Sequence, residues 1–203
     1  MNKIFVLTFV IGFLGITNAQ NKNQQKETFD NNAFGWEEFS DKNQSAIIAD
    51  GYLILTNKKK DEAVRIVTQY PVDIKRNFTI KSTFFVPEFD DDSRFGIIFN
   101  YADNDNYSCF LICEKTFYFY NKREGKVKLE KEGKIKLKGG KNQTISIVIQ
   151  KQGMNLNFQI NNLEAYTIKK SLVFPIFGFY LEGKKTSINV DEIVIEQYRG
   201  EDE

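Results

Sequence analysis

The chain has 203 residues, 41% of them hydrophobic and 14% aromatic, enough for one full core in a single domain. Its 28 basic and 27 acidic residues leave a formal net charge of +1, which argues against nucleic acid as a partner. Histidine is absent, which removes Ser-His-Asp and Cys-His catalysis and the commonest metal ligand.

Residues 1–19 read as a secretory signal peptide. Lys3 gives a positive start, Ile4 to Ile16 an apolar run too short to span a bilayer comfortably, and Thr17-Asn18-Ala19 a small-residue cleavage site. No later apolar run approaches the roughly 20 residues of a membrane helix, and no cysteine follows the cleavage site closely enough to take a lipid. The expected product is exported (periplasmic, cell-surface or extracellular) with no transmembrane segment after cleavage. Residues 20–28, QNKNQQKET, are polar and aperiodic and predict a disordered leader.

The folded domain is expected over 29–198, followed by a short tail, 199–203. FDNNAFGWEEF holds the single tryptophan, Trp36, and Asp50-Gly51 is a turn before a strand over Tyr52–Thr56. A charged loop, Asn57 to Glu62, leads to a strand over Ala63–Thr68. Phe78 to Val86 alternates with period two and predicts a strand, and an acidic loop, Glu88 to Asp92, follows Pro87. Arg94 to Asn121, RFGIIFNYADNDNYSCFLICEKTFYFYN, predicts three successive antiparallel strands. Lys122 to Lys141 alternates lysine with Val127, Leu129, Ile135 and Leu137, and Glu132-Gly133 predicts a turn within it. This lysine-rich hairpin is either edge-strand protection or a patch for anionic polysaccharide or a membrane surface. Ile145 to Gln150 and Met154 to Ile160 make a hairpin around Gln152-Gly153, and Phe174–Leu181 and Ser187–Glu196 are closing strands. No helix longer than a turn or two is expected. The fold class is all-β, a two-sheet antiparallel sandwich or jelly roll.

The hairpin between the first two central strands suggests a surface. With Ala102 to Asn106 as a five-residue loop and Tyr101 facing Tyr107, one face carries Phe95 with Cys113, Ile97 with Leu111 and Phe99 with Cys109, a core face. The other carries Arg94 with Glu114, Gly96 with Ile112, Ile98 with Phe110 and Asn100 with Ser108. This mixed face is either covered by a loop or lines a groove. Phe117 and Phe119 belong to the core, and Tyr118 and Tyr120 to the groove, because a phenol needs a partner or water. Tyr180 and Glu182 of GFYLEG join them from a neighbouring strand. Cys109 and Cys113 lie about 13 Å apart along a strand and cannot form a disulfide.

The succession FDNNAFGW, DGYLIL, FGIIFNYADNDNYSCFLI, ISIVIQKQGMNLNFQIN and GFYLEGKKTSINVDEIVI resembles the concanavalin A-like lectin/glucanase superfamily. Within it the chain is most similar to the laminin G-like or 3-keto-disaccharide hydrolase-type domains of exported Bacteroidota proteins. The resemblance implies a jelly roll of two curved sheets with the concave one available to carbohydrate. The Glu-x-Asp-x-(x)-Glu strand of the glucanase branch is absent here. Glu114 and Glu182 are the only carboxylates available for a catalytic pair, so catalysis is disfavoured. Asp103 and Asp105 are the calcium candidates of a chain expected to need no cofactor.

Three functions follow as expectations. The first is an exported non-catalytic module binding carbohydrate through Arg94, Asn100, Ser108, Glu114, Tyr118, Tyr120, Tyr180 and Glu182. The second is a glycoside hydrolase of the 3-keto-disaccharide type, and the third a protein-interaction subunit of a cell-surface complex.

Overall fold

The computed structural model describes residues 22–87, 93–137 and 142–198. The signal-peptide, acidic-loop and C-terminal-tail expectations therefore lie outside the described residues. Within these there is no helix and there are fifteen strands. They are β1 (Lys22–Glu27), β2 (Phe39–Ser40), β3 (Gln44–Ala49), β4 (Tyr52–Asn57), β5 (Ala63–Val67), β6 (Phe78–Val86), β7 (Arg94–Asp103) and β8 (Asn106–Cys113). After these come β9 (Thr116–Arg123), β10 (Lys126–Lys134), β11 (Gln143–Gln152), β12 (Asn155–Ile160), β13 (Leu163–Lys169), β14 (Ile176–Glu182) and β15 (Thr186–Tyr198).

The strands form a two-sheet antiparallel sandwich, as expected. One sheet has nine strands in the order β13-β12-β11-β6-β15-β4-β3-β2, with β1 alongside β15. The other has six, in the order β10-β9-β8-β7-β14-β5. Period-two alternation sends one side of each strand inward: in β6, Phe78, Ile80, Phe84 and Val86 are buried while Lys81 is exposed. The inward faces meet in an aromatic core. Phe158 of the nine-stranded sheet stacks on Phe110 of the six-stranded sheet with ring centroids 4.7 Å apart, and Phe84 packs on both Phe95 and Phe179.

The segment between β1 and β2 enters this core from the side. Trp36 stacks on Phe179 at 5.1 Å and meets Phe177 edge-on, and Phe29 and Phe34 are buried with it. Its irregular backbone is held by one carboxylate: buried Glu27 accepts the N–H groups of Phe29 and Phe34, both at 2.8 Å. Glu27→Ala strands both donors in a dry site and is expected to cost about 2–5 kcal/mol, with Glu27→Gln intermediate, as measured by denaturant unfolding.

Three expectations need correction. The leader is not disordered where described, since Lys22–Glu27 pairs along β15 from Lys22↔Tyr198 to Glu27↔Ile193. Its stabilisation comes from the backbone ladder and from the Lys22–Glu196 and Lys26–Glu192 ion pairs, so the strand carries no apolar pattern to read. Second, the lysine-rich stretch holds no turn at Glu132-Gly133. Lys126–Lys134 is one edge strand, β10, and Gly133 is required because a Cβ there would lie 2.4 Å from a ring carbon of Phe117.

Third, the β7–β8 register differs by one residue. Phe95 faces Ile112, Ile97 faces Phe110, Ile98 faces Cys109 and Phe99 faces Ser108. The turn is Asn104-Asp105, closed by Asp103↔Asn106, and the surplus residues form a bulge between Phe99 and Asp103. Asn100 sits in that bulge with a left-handed φ of 52°, and its Oδ1 accepts the N–H groups of Val173 and Phe174. The slip exchanges the two faces of β8: Phe110 and Ile112 go to the core, and Cys109 and Leu111 go outward.

Candidate ligand-binding face

The outward face of the six-stranded sheet is built by the period-two positions that the core does not use. Register places residues in rows across the strands. Tyr180 of β14 lies beside Gly96 of β7, then Leu111 of β8 and Tyr118 of β9; in the next row Ile98, Cys109 and Tyr120 are neighbours. Ile98, Tyr107, Cys109 and Leu111 form a small buried cluster, capped by the partly exposed rings of Tyr101, Tyr120 and Tyr180. No loop of the described residues is needed to cover this face, because its own tyrosines do so. The segment around Trp36 fills the space between the sheets and leaves this face open.

A cleft of about 150 Å³ opens between Arg94, Tyr107, Tyr120, Lys122, Tyr180 and Glu182. The Arg94 Nη1 donates to Glu182 Oε1 at 2.8 Å, and the Tyr180 hydroxyl donates to Glu182 Oε2. The Arg94 guanidinium lies 4.8 Å from the centroid of Tyr118, whose ring is stacked at 5.9 Å and 15° on Tyr120. Lys122 pairs with Asp105 at 3.0 Å, donates to the Asn104 carbonyl and lies over Tyr107. The face thus offers two nearly parallel phenol rings beside a fixed cation–carboxylate pair.

Burial and neighbouring charge shift the proton equilibria of Arg94 and of four tyrosines on this face. Burial raises the pKa of Tyr101, Tyr107 and Tyr120, and burial with the adjacent Glu182 carboxylate holds the Tyr180 hydroxyl protonated far into alkali. Burial pulls the Arg94 guanidinium down, but the Glu182 carboxylate and the neighbouring phenols outweigh it, and the net shift is upward. Burial also raises the Cys109 thiol, and both cysteines are buried and outside any disulfide, so Cys109 is no nucleophile.

The raised tyrosines make a pH prediction. Their folded pKa values lie above the unfolded value of about 10, so the folded state holds these protons more tightly. The stability they contribute is complete below about pH 10 and is lost as pH rises above it. In an alkaline titration followed by tyrosinate absorbance, some of the nine tyrosines should ionise only as the protein unfolds. The Tyr180→Phe variant should lose part of that late phase.

The structure brings together Arg94, Tyr118, Tyr120, Tyr180 and Glu182 of the expected site. It does not bring in the other three. Ser108 is buried on the inward side of β8, where its hydroxyl donates to Asn121 Oδ1 at 2.7 Å. Asn100 has its Oδ1 committed to the N–H groups of Val173 and Phe174, and Glu114 occupies the β8–β9 turn with Lys115 as its partner at 3.1 Å. Arg94 therefore pairs with Glu182 and not with Glu114. Of the calcium candidates, Asp103 accepts from the Asp105 N–H and the Asn106 amide, and Asp105 pairs with Lys122. Tyr107 and Lys122 were missed. Lys122 continues the Tyr118, Tyr120 alternation, a signal present in the sequence, whereas Tyr107 was assigned to the core by the register error.

No protein-family model and no curated protein matches the chain. Solved structures do match. A carbohydrate-binding module, CBM66, from Bacillus subtilis superposes with a TM-score of 0.58 at 12% identity over 78% of this chain and 93% of that one. A Bacillus subtilis protein of unknown function with a galectin-like fold gives 0.64 at 13% identity, over 87% and 96%. The catalytic domain of an endo-1,3-beta-glucanase (laminarinase) from Thermotoga petrophila RKU-1 gives 0.61 at 9% identity, over 89% and 100%. At these identities the likeness shows the fold alone, a two-sheet antiparallel β-sandwich of jelly-roll type.

Proposed function

We propose that this chain is an exported, non-catalytic carbohydrate-binding module that takes its ligand on the outward tyrosine face of the six-stranded sheet. The observation carrying this reading is the stacked Tyr118–Tyr120 pair beside the Arg94–Glu182 pair. Sugar rings present C–H faces that pack on aromatic rings, and hydroxyls that need fixed donors and acceptors at the edge of such a platform. Arg94 keeps further N–H donors beyond the one given to Glu182, and Tyr120, Lys122 and Tyr180 place polar atoms around the cleft. The fold is one that a carbohydrate-binding module and a glucanase share, which is consistent with a saccharide ligand.

Binding without turnover is favoured by the carboxylates. Both oxygens of Glu182 are engaged, by Arg94 and by Tyr180. Glu132, which register places outward beside Tyr118, lies four strands from β14, roughly 19 Å at about 4.8 Å per strand. A retaining glycosidase needs two carboxyl groups about 5 to 5.5 Å apart.

A glycan array followed by calorimetry and product analysis tests the proposal. Saturable binding of an oligosaccharide that is recovered unchanged is expected. Chain shortening or oxidation of the ligand would move the reading to an enzyme, and a stoichiometric protein partner with no glycan ligand would move it to an interaction subunit.

A further inference from the structure

The edge strand β5 brings to the tyrosine face a cation that the site described above does not use. Val64 and Ile66 of β5 are buried in the core, so Ala63, Arg65 and Val67 turn outward, and Arg65 is partly exposed. Register sets Arg65 beside Tyr180, in the row that continues through Gly96 and Leu111 to Tyr118. Gly178, the next outward position of β14, lies between Val67 and Ile98 and puts no side chain on this face. The Arg65 guanidinium comes within hydrogen-bonding reach of the Tyr107 phenol, which lines the cleft, and its charge also acts on Tyr101.

The other cations around the cleft are matched. Arg94 has Glu182 at 2.8 Å, and Lys122 has Asp105 at 3.0 Å. Glu182, a diagonal neighbour of Arg65, has its two oxygens taken by Arg94 and by Tyr180. Asp103 is occupied within the β7–β8 turn, where it accepts the Asp105 N–H and the Asn106 amide. Among the described residues no carboxylate lies within ion-pair distance of Arg65. A guanidinium carries five N–H donors in a planar fork, and one phenol oxygen leaves most of them unused.

We infer that the tyrosine face selects acidic saccharides, with Arg65 as the residue that holds the carboxylate of a uronic acid unit. The guanidinium fork matches a carboxylate with two parallel hydrogen bonds. The pairing falls at the Tyr107 end of the cleft, beside the apolar cluster of Ile98, Cys109 and Leu111, where water is partly excluded and a charged hydrogen bond gains strength. Lys122 lies over the same Tyr107 ring and adds positive potential, since its partner Asp105 is 65% exposed and screened by solvent. A neutral sugar leaves Arg65 without a counter-charge and binds more weakly. The inference rests on the reading of this face as a saccharide site and adds to it the charge of the ligand.

The test measures calorimetric binding of the full chain to oligogalacturonate, oligoglucuronate and alginate oligomers, each beside its carboxyl-reduced neutral form, with tyrosine ring NMR signals locating the ligand. At least one acidic oligomer is expected to bind about tenfold or more tightly than its neutral form, the size of one charged hydrogen-bonded contact. Its binding should weaken as ionic strength rises and should perturb the Tyr107 ring. Arg65→Gln should weaken the acidic oligomer about tenfold and leave the neutral form within a few-fold, and Arg65→Lys should recover part of the loss. Neutral oligomers that bind at the tyrosine rings as tightly as acidic ones, or acid binding undiminished in a folded Arg65→Gln protein, would overturn the inference while leaving the saccharide face standing. If the glutamine variant does not fold, the acid-to-neutral ratio of the wild-type protein still decides. Absence of any saccharide at the tyrosine rings would remove both readings.

Discussion

A Tyr118→Ala, Tyr120→Ala double variant is expected to bind the protein's saccharide ligand on the order of a hundredfold more weakly than wild type, with its far-ultraviolet spectrum unchanged. A tyrosine at the centre of a binding surface commonly contributes at least 1 to 2 kcal/mol, and about 1.4 kcal/mol is a factor of ten for each ring. The two rings are stacked on each other and Tyr118 also underlies Arg94, so removing Tyr118 both deletes a platform and takes one of two supports, the other being Glu182, from the guanidinium. The fold should survive, because both side chains are partly exposed and the β9 residues that hold the core are Phe117 and Phe119. Tyr118→Phe with Tyr120→Phe keeps the stacking surface and should bind within a few-fold of wild type. A double alanine variant that binds normally would place the ligand elsewhere.

Trp36→Ala is expected to have the opposite profile, lowering stability by about 3–5 kcal/mol while the tyrosine face still binds. Trp36 is 3% exposed and packs against Phe29, Phe177 and Phe179, so its loss opens a large cavity between the sheets. Its buried Nε1 has no hydrogen-bond partner, which means the indole is held by packing alone. Trp36→Phe should therefore cost much less than the alanine variant, since it removes the unpaired donor with part of the ring. Denaturant unfolding monitored by circular dichroism measures both, and calorimetry on the folded Trp36→Phe protein checks that binding is retained. These two predictions separate the residues that build the sandwich from those that use its surface.

The sequence carries the sandwich clearly where one side of a strand is buried. Phe78 to Val86 and the Ile145–Ile160 hairpin have the alternation that a wet-faced strand requires, and they fold as read. Strands that bury little gave no such signal. β1 is held by ladder bonds and two lysine–glutamate pairs, and nothing apolar marks it out. The site was half legible for a similar reason. Tyr118, Tyr120, Tyr180, Glu182 and Arg94 alternate with core residues on their own strands, so their common face follows from period two.

Pairing between strands is harder to read, because it depends on where the extra residues of a hairpin are stored. Asn100 stores them in a bulge inside β7, fixed by hydrogen bonds to Val173 and Phe174, segments more than seventy residues away. That long-range contact shifts β8 by one residue, exchanges its faces and sends Arg94 to Glu182 in place of Glu114. Gly133 misled in the same way: its role is to make room for the Phe117 ring and not to turn the chain.

Mapping the saccharide ligand by NMR on the intact protein tests the central claim most directly. Titration with the glycan selected by the array should perturb the ring signals of Tyr107, Tyr118, Tyr120 and Tyr180 and the Arg94 side chain, and leave the nine-stranded sheet unmoved. Perturbations confined to the outward face of the nine-stranded sheet, with the tyrosine rings silent, would contradict the account.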